Sequence, residues 1–117
     1  MDKLNIYVVD IDGTICIETG GDYKDAEPHH DRIAVLNDLY DKGHTINYFT
    51  ARGMGRTDNN VNEAYKLLYE YTKQQLDGWG CKYNDLFLGK PYADYYVDNK
   101  GVNDTHFFRD LDRKSVV

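Results

Sequence analysis

The chain has 117 residues, 41% of them hydrophobic and 29% charged, with a formal net charge of −6. That is one globular domain with room for a single core, and its acidic balance argues against a general nucleic-acid binder, which would carry a basic face. The two cysteines, Cys16 and Cys81, form no C-x-x-C and read as reduced thiols. No apolar run approaches the roughly 18–20 residues of a membrane span, and the opening "MDKLNIYVVD" lacks a signal-peptide core, so the expectation is a cytoplasmic chain with no membrane partner.

In chain order, "NIYVVD" (5–10) is β-branched and aromatic, as in a strand covered on both faces. "TICIETGGDY" alternates Ile15 and Ile17 ahead of Gly20-Gly21 and predicts a hairpin or flap. Residues 31–42 carry Ile33, Leu36, Leu39 and Tyr40 at helical spacing, with Pro28 ahead and Gly43 at the C-cap. "TINYFTAR" (45–52) is a second strand, and "RGMGRTDNN" is a polar, Gly-rich loop. A helix follows over 61–76, ended by Gly78, with Tyr65, Leu68 and Tyr69 on its packing face. "DLFLG" (85–89) and "ADYYVD" (93–98) complete four strands, and the C-terminal "RDLDRKSVV" reads as charged and frayed. Strands alternating with helices predict an α/β fold, a three-layer Rossmann-like parallel sheet with helices on both faces.

The chemistry starts at "VVDIDGT". Asp10 closes the first strand and Asp12 projects to the same side two residues on. Two close carboxylates repel, which raises one pKa, and a divalent cation between them removes the conflict. An EF-hand counted from Asp10 has Ile15 and Gly21 where Gly and Glu belong, and one counted from Asp58 has Glu63 and Tyr69. A plain Asp-Gly turn remains open for this stretch alone, and "GMGRTD" lacks the last glycine of a dinucleotide fingerprint. Company favours the catalytic reading. Thr50 ends the second strand, Lys90 follows the third and Asp98 ends the fourth, so four strand ends bring carboxylate, hydroxyl, ammonium and carboxylate to one edge.

With D-x-D-G-T at 10–14, Thr50, Lys90 and Asp98 in that order, the chain resembles the haloacid-dehalogenase-like phosphohydrolase superfamily over residues 6 to about 103. "LYDKGHTINYFTARG" and "QLDGWGCKYNDLFLGKPYADYYVDNKG" are similar to a capless subgroup described as capsular-biosynthesis or sugar-phosphate phosphatases. The resemblance implies that Asp10 is the nucleophile and Asp12 the acid/base. It also implies Mg²⁺ held by Asp10, Asp12 and Asp98, with a phosphoryl group bound by Gly13, Thr14, Thr50, Ala51 and Lys90. Asn99 departs from the usual second acid of the fourth motif; it is expected to orient a metal-bound water and to weaken Mg²⁺ binding. Asp94 lies about 13 Å from Asp98 along a strand and cannot replace it.

Arg52 reads either as a contact to a substrate anion or as a surface ion pair. His29 and His30 read as capping or solvated, and Tyr23 and Tyr92, beside the flap and Lys90, are candidates for stacking on a substrate. The expected partner is a small phosphorylated carbohydrate, the chain alone or as a homo-oligomer. The alternatives are a polynucleotide end phosphatase and a non-catalytic binding domain of the same fold.

Overall fold

Three short strands, β1 (Ile6–Val9), β2 (Thr45–Thr50) and β3 (Asp85–Leu88), pair in parallel in the order β1-β2-β3, with Val9 opposite Tyr48 and Thr50 opposite Leu88. The structure is a computed structural model that describes residues 3–116, with side chains described through residue 111. Between the strands run α1 (His30–Asp41) and α2 (Val61–Gly78), and α3 (Asp104–Val116) closes the chain. α1 packs on β2, α2 on β3 and α3 on α1. This is a small α/β domain consistent with a Rossmann-like fold.

Periodicity explains the core. Ile46, Tyr48 and Thr50 point inward from β2, and Leu86 and Leu88 from β3. α1 buries Ile33, Leu36 and Leu39, and α2 buries Ala64, Leu68, Thr72 and Leu76, a stripe repeating every fourth residue. The Asn60 side chain caps α2 by accepting from Glu63 N at 3.1 Å. α1 ends as expected at Gly43. α2 ends at Gly78, as expected, and Gly80, at φ +79°, closes the turn that follows, in which Gly80 N donates to Asp77 O and Cys81 N to Leu76 O. Those two bonds satisfy the last carbonyls.

Of the hairpin or flap expected ahead of α1 the flap is present, and three other expectations are corrected. Residues 15–30 form no hairpin: two isolated bridges, Asp12 with Cys16 and Cys16 with Pro28, and a short 3-10 turn (Tyr23–Asp25) shape a flap. The C-terminal stretch is helical, because Asn103 caps α3 by accepting from Thr105 N, and Phe108 is buried in the core. Residues 93–98 form no strand. Tyr96 folds its segment back on itself, donating its hydroxyl to Pro91 O and laying its ring under the Lys90 ammonium at 4.3 Å. These local contacts compete with a ladder, and Tyr95 and Val97 stand 87% and 99% exposed. β1 is therefore an edge strand, with Ile6 73% and Val8 62% exposed rather than covered on both faces.

A free edge tolerates charge. Val8→Lys is expected to lower the unfolding free energy by less than about 1 kcal/mol, read from the urea midpoint. A loss of about 3 kcal/mol or more would mean that the edge is covered.

Candidate active site

A cavity of about 670 Å³ opens at the carboxyl ends of the three strands. Asp10 enters it directly after β1, Thr50 ends β2, and Lys90 follows β3 by two residues. Lys90 N donates to Thr50 O at 3.2 Å, which carries the parallel pairing up to the site. Residues from the flap (Glu18, Tyr23), from the loop after β2 (Ala51, Arg52, Arg56) and from the loop after β3 (Tyr92, Tyr96) complete the walls.

Asp10 is held at both oxygens. Thr14 Oγ1 donates to Oδ2 at 3.1 Å, and Lys90 Nζ lies 3.5 Å from Oδ1. Burial pushes the Asp10 carboxyl up from its ordinary 3.8, opposed by the Lys90 charge and the Thr14 and Ile11 hydrogen bonds, with a small further push from Asp12. The repulsion between the two acids is weak because Asp12 has its own cation. Arg52 grips it with a two-pronged fork, Nε to Oδ2 at 2.9 Å and Nη2 to Oδ1 at 3.0 Å.

Arg52 is therefore neither a free anion contact nor a surface ion pair. Its side chain is 0% exposed against 13% for Asp12. Nη1 reaches Thr72 Oγ1 at 3.4 Å, and the Tyr23 ring lies 4.4 Å from the guanidinium carbon. Thr50 Oγ1 accepts from Arg52 N at 3.1 Å, which leaves the hydroxyl proton to be donated to a guest. Behind Asp12, the Cys16 thiol donates to Ile11 O and is pushed up to about 12, chiefly by burial, so it is inert.

The structure brings together Asp10, Asp12, Thr50, Ala51, Arg52 and Lys90. Gly13 and Thr14 do not line the cavity. Gly13, at φ +82°, turns the chain and donates to Cys16 O, Thr14 N donates to Ile11 O, and Thr14's contribution is to hold Asp10. Asp98 and Asn99 lie apart from these residues: both are exposed and neither lines the cavity, and the Asp98 carboxylate accepts from Lys100 N at 2.9 Å. Arg56, Glu18 and Tyr96 are lining residues that the sequence reading passed over, although a Gly-rich loop directly after a strand end is where a binding residue is sought.

Among the described residues no group of three or more His, Cys, Asp or Glu side chains can hold a metal ion. Asp10 and Asp12 each pair with a cation, Lys90 and Arg52, and Asp98 lies outside the cavity; Mg²⁺ is commonly held by one or two carboxylates with waters, and Asp10 and Asp12 are the two acids that would hold it here. A second cavity of about 430 Å³, at the far end of β3, is lined by Lys73, Asp77 and Lys82. Its two cations are matched, Lys73 with Asp77 at 2.8 Å and Lys82 with Asp41 at 2.9 Å, and Asp85 also lines it.

Fold and site together define a small α/β domain with a carboxylate pair, a hydroxyl and three cations at the carboxyl edge of a parallel sheet. The chain is similar to the crystal structure of an MCSG target from Vibrio cholerae, at 25% identity over 96% of this chain and 99% of that one, with a TM-score of 0.82. No family model matches the chain, and no curated protein does. No helix among the described residues is long and apolar enough to cross a membrane.

Proposed function

We propose that the chain is a phosphomonoesterase that uses Asp10 as its nucleophile, a capless member of the haloacid-dehalogenase-like class with the three-layer arrangement that class implies. One observation carries the reading: a half-buried carboxylate at a strand end, between Thr14 and Lys90, faces a cavity that also holds the Thr50 hydroxyl.

An Asp10 oxygen attacks phosphorus, the O–P bond forms, and the bond to the leaving oxygen breaks. Lys90 neutralises charge on the nucleophile and the phosphoryl group, and Thr50 donates to a phosphoryl oxygen. Water then attacks phosphorus with its proton passing to Asp12, the bond from phosphorus to the Asp10 oxygen breaks, and inorganic phosphate leaves the regenerated carboxylate. As paired with Arg52, both Asp12 oxygens are acceptors, the arrangement of a base. To hand a proton to the leaving oxygen in the first half, Asp12 must take up a proton from solvent and turn away from Arg52; the proton it takes from water in the second half restores that acid for the next turnover. That makes Arg52 a positioning residue.

The substrate class in this reading is a small phosphorylated carbohydrate and the setting cytoplasmic. Mg²⁺ belongs to it through the sequence resemblance, and no step above is routed through the ion. The test is phosphate release from an aryl phosphate across a Mg²⁺ titration. Turnover that depends on Mg²⁺ supports the reading. One specific observation favours a second reading, a non-catalytic binding domain: Asp98 lies outside the cavity. Absence of turnover on the aryl phosphate and on a panel of sugar phosphates, with inorganic phosphate still bound, would make that second reading the correct one.

A further inference from the structure

We propose that Arg56, with the rings of Tyr23 and Tyr92, forms a subsite for a second anionic group, a carboxylate or a phosphate, carried by the leaving group of the substrate; this assignment rests on the phosphatase reading above. The charges of the cavity point there. Its cations are Arg52, Lys90 and Arg56, and its acids are Asp10, Asp12 and Glu18. Arg52 is matched to Asp12 and Lys90 to Asp10. Glu18 turns back on its own flap, accepting from Gly20 N at 3.0 Å. Arg56 is exposed and has no ion pair among the described residues; its guanidinium carbon lies 5.9 Å from the Tyr23 ring centre. It is the cavity's unneutralised cation, and its planar fork suits a carboxylate or a phosphate.

The loop that carries Arg56 is built to a fixed shape. Asp58 and Asn59 sit one after the other at φ +55° and +62°, a conformation that side chains other than glycine adopt at a cost. Several bonds hold them there. Asn59 N donates to Met54 O at 2.7 Å, Thr57 Oγ1 to Gly53 O at 2.7 Å, and Tyr92 N to Asn59 Oδ1 at 3.0 Å. The last bond ties this loop to the one after β3, so Tyr92 lies against Gly55, where an added Cβ would meet its ring at 3.7 Å. Tyr23 carries two guanidiniums, Arg52 at 4.4 Å and Arg56 at 5.9 Å, which links the subsite to the Asp12 end of the cavity. A cavity of about 670 Å³ holds a phosphorylated sugar and one further group. With phosphorus at Asp10, the sugar runs between the tyrosines and its other end meets Arg56.

The experiment compares three esters: glucose 6-phosphate, whose leaving group is neutral; 6-phosphogluconate, which adds a carboxylate; and glucose 1,6-bisphosphate, which adds a second phosphate. In the wild type, kcat/KM for at least one anionic ester exceeds that for glucose 6-phosphate by about tenfold or more, and the favoured arm names the anion. In Arg56→Gln that ratio falls toward one, and Arg56→Lys restores part of it. A ratio near one in the wild type, or one that survives Arg56→Gln, overturns the subsite while Asp10-dependent turnover keeps the phosphatase reading. No turnover on any of the three esters, nor on an aryl phosphate, overturns both.

Discussion

Asp10→Asn is expected to abolish phosphate release, by about 10⁴-fold or more, while leaving the chain more stable than the wild type at neutral pH. The first half follows from chemistry, because an amide does not attack phosphorus at a useful rate. The second follows from the direction of the Asp10 shift. Burial raises the carboxyl above its ordinary 3.8, so the folded state holds the proton more tightly than the unfolded one. The favourable contribution is complete below the unfolded pKa and is lost as pH rises through the folded pKa, so at pH 7 an ionised Asp10 opposes folding. Asparagine removes that opposition and keeps an oxygen to accept from Thr14. In chelator-containing buffer the variant's urea midpoint should exceed the wild type's at pH 7, and the gap should close toward about pH 4. Lost activity with a lowered midpoint would mean a damaged fold, and retained activity would remove Asp10 from the mechanism.

That pairing of function with instability sits where the sequence is most readable. Apolar alternation marks β1, β2 and β3 within a residue or two, and the polar groups at their carboxyl ends follow from a parallel sheet whose connections are helices. The stretch 93–98 shows how such a signal misleads. Tyr95 and Val97 alternate as a strand should, yet a strand needs a partner edge as well as a pattern, and the fold-back of Tyr96 onto Lys90 and Pro91 is invisible to periodicity. Asp98 was tied to that strand and is displaced with it. Arg52 shows the opposite limit. No local rule buries an arginine; only the tertiary meeting of Asp12, Thr72 and Tyr23 around it does. Arg56 lies in a polar loop, where composition identifies a connection and not the cavity to which that connection delivers a side chain.

Arg52 also carries the largest expected loss of stability. Its side chain is 0% exposed, and it is the ion-pair partner of a carboxylate that is itself 13% exposed. Arg52→Met removes the fork and leaves Asp12 partly desolvated without its cation, a loss of about 3–5 kcal/mol by the usual cost of breaking a buried pair from one side. The sign is instructive, because removing both charges should cost less. Asp12→Leu combined with Arg52→Met is expected to be more stable than Arg52→Met alone, read from urea midpoints as a positive coupling in a double-mutant cycle. A double-variant loss equal to the sum of the Arg52→Met and Asp12→Leu losses measured singly would mean that the pair carries no coupling. Since a loss of that size can unfold a small domain, Arg52→Lys tests the role in catalysis. Lysine keeps the charge and loses the two-pronged geometry, so Asp12 is held in place less well. The lysine variant should fold, with kcat lowered about 100-fold and KM nearly unchanged, because Asp12 acts on the reacting oxygen and not on the bound sugar. An unchanged kcat in a folded Arg52→Lys would reduce Arg52 to a structural residue and would free Asp12 to act without its guidance.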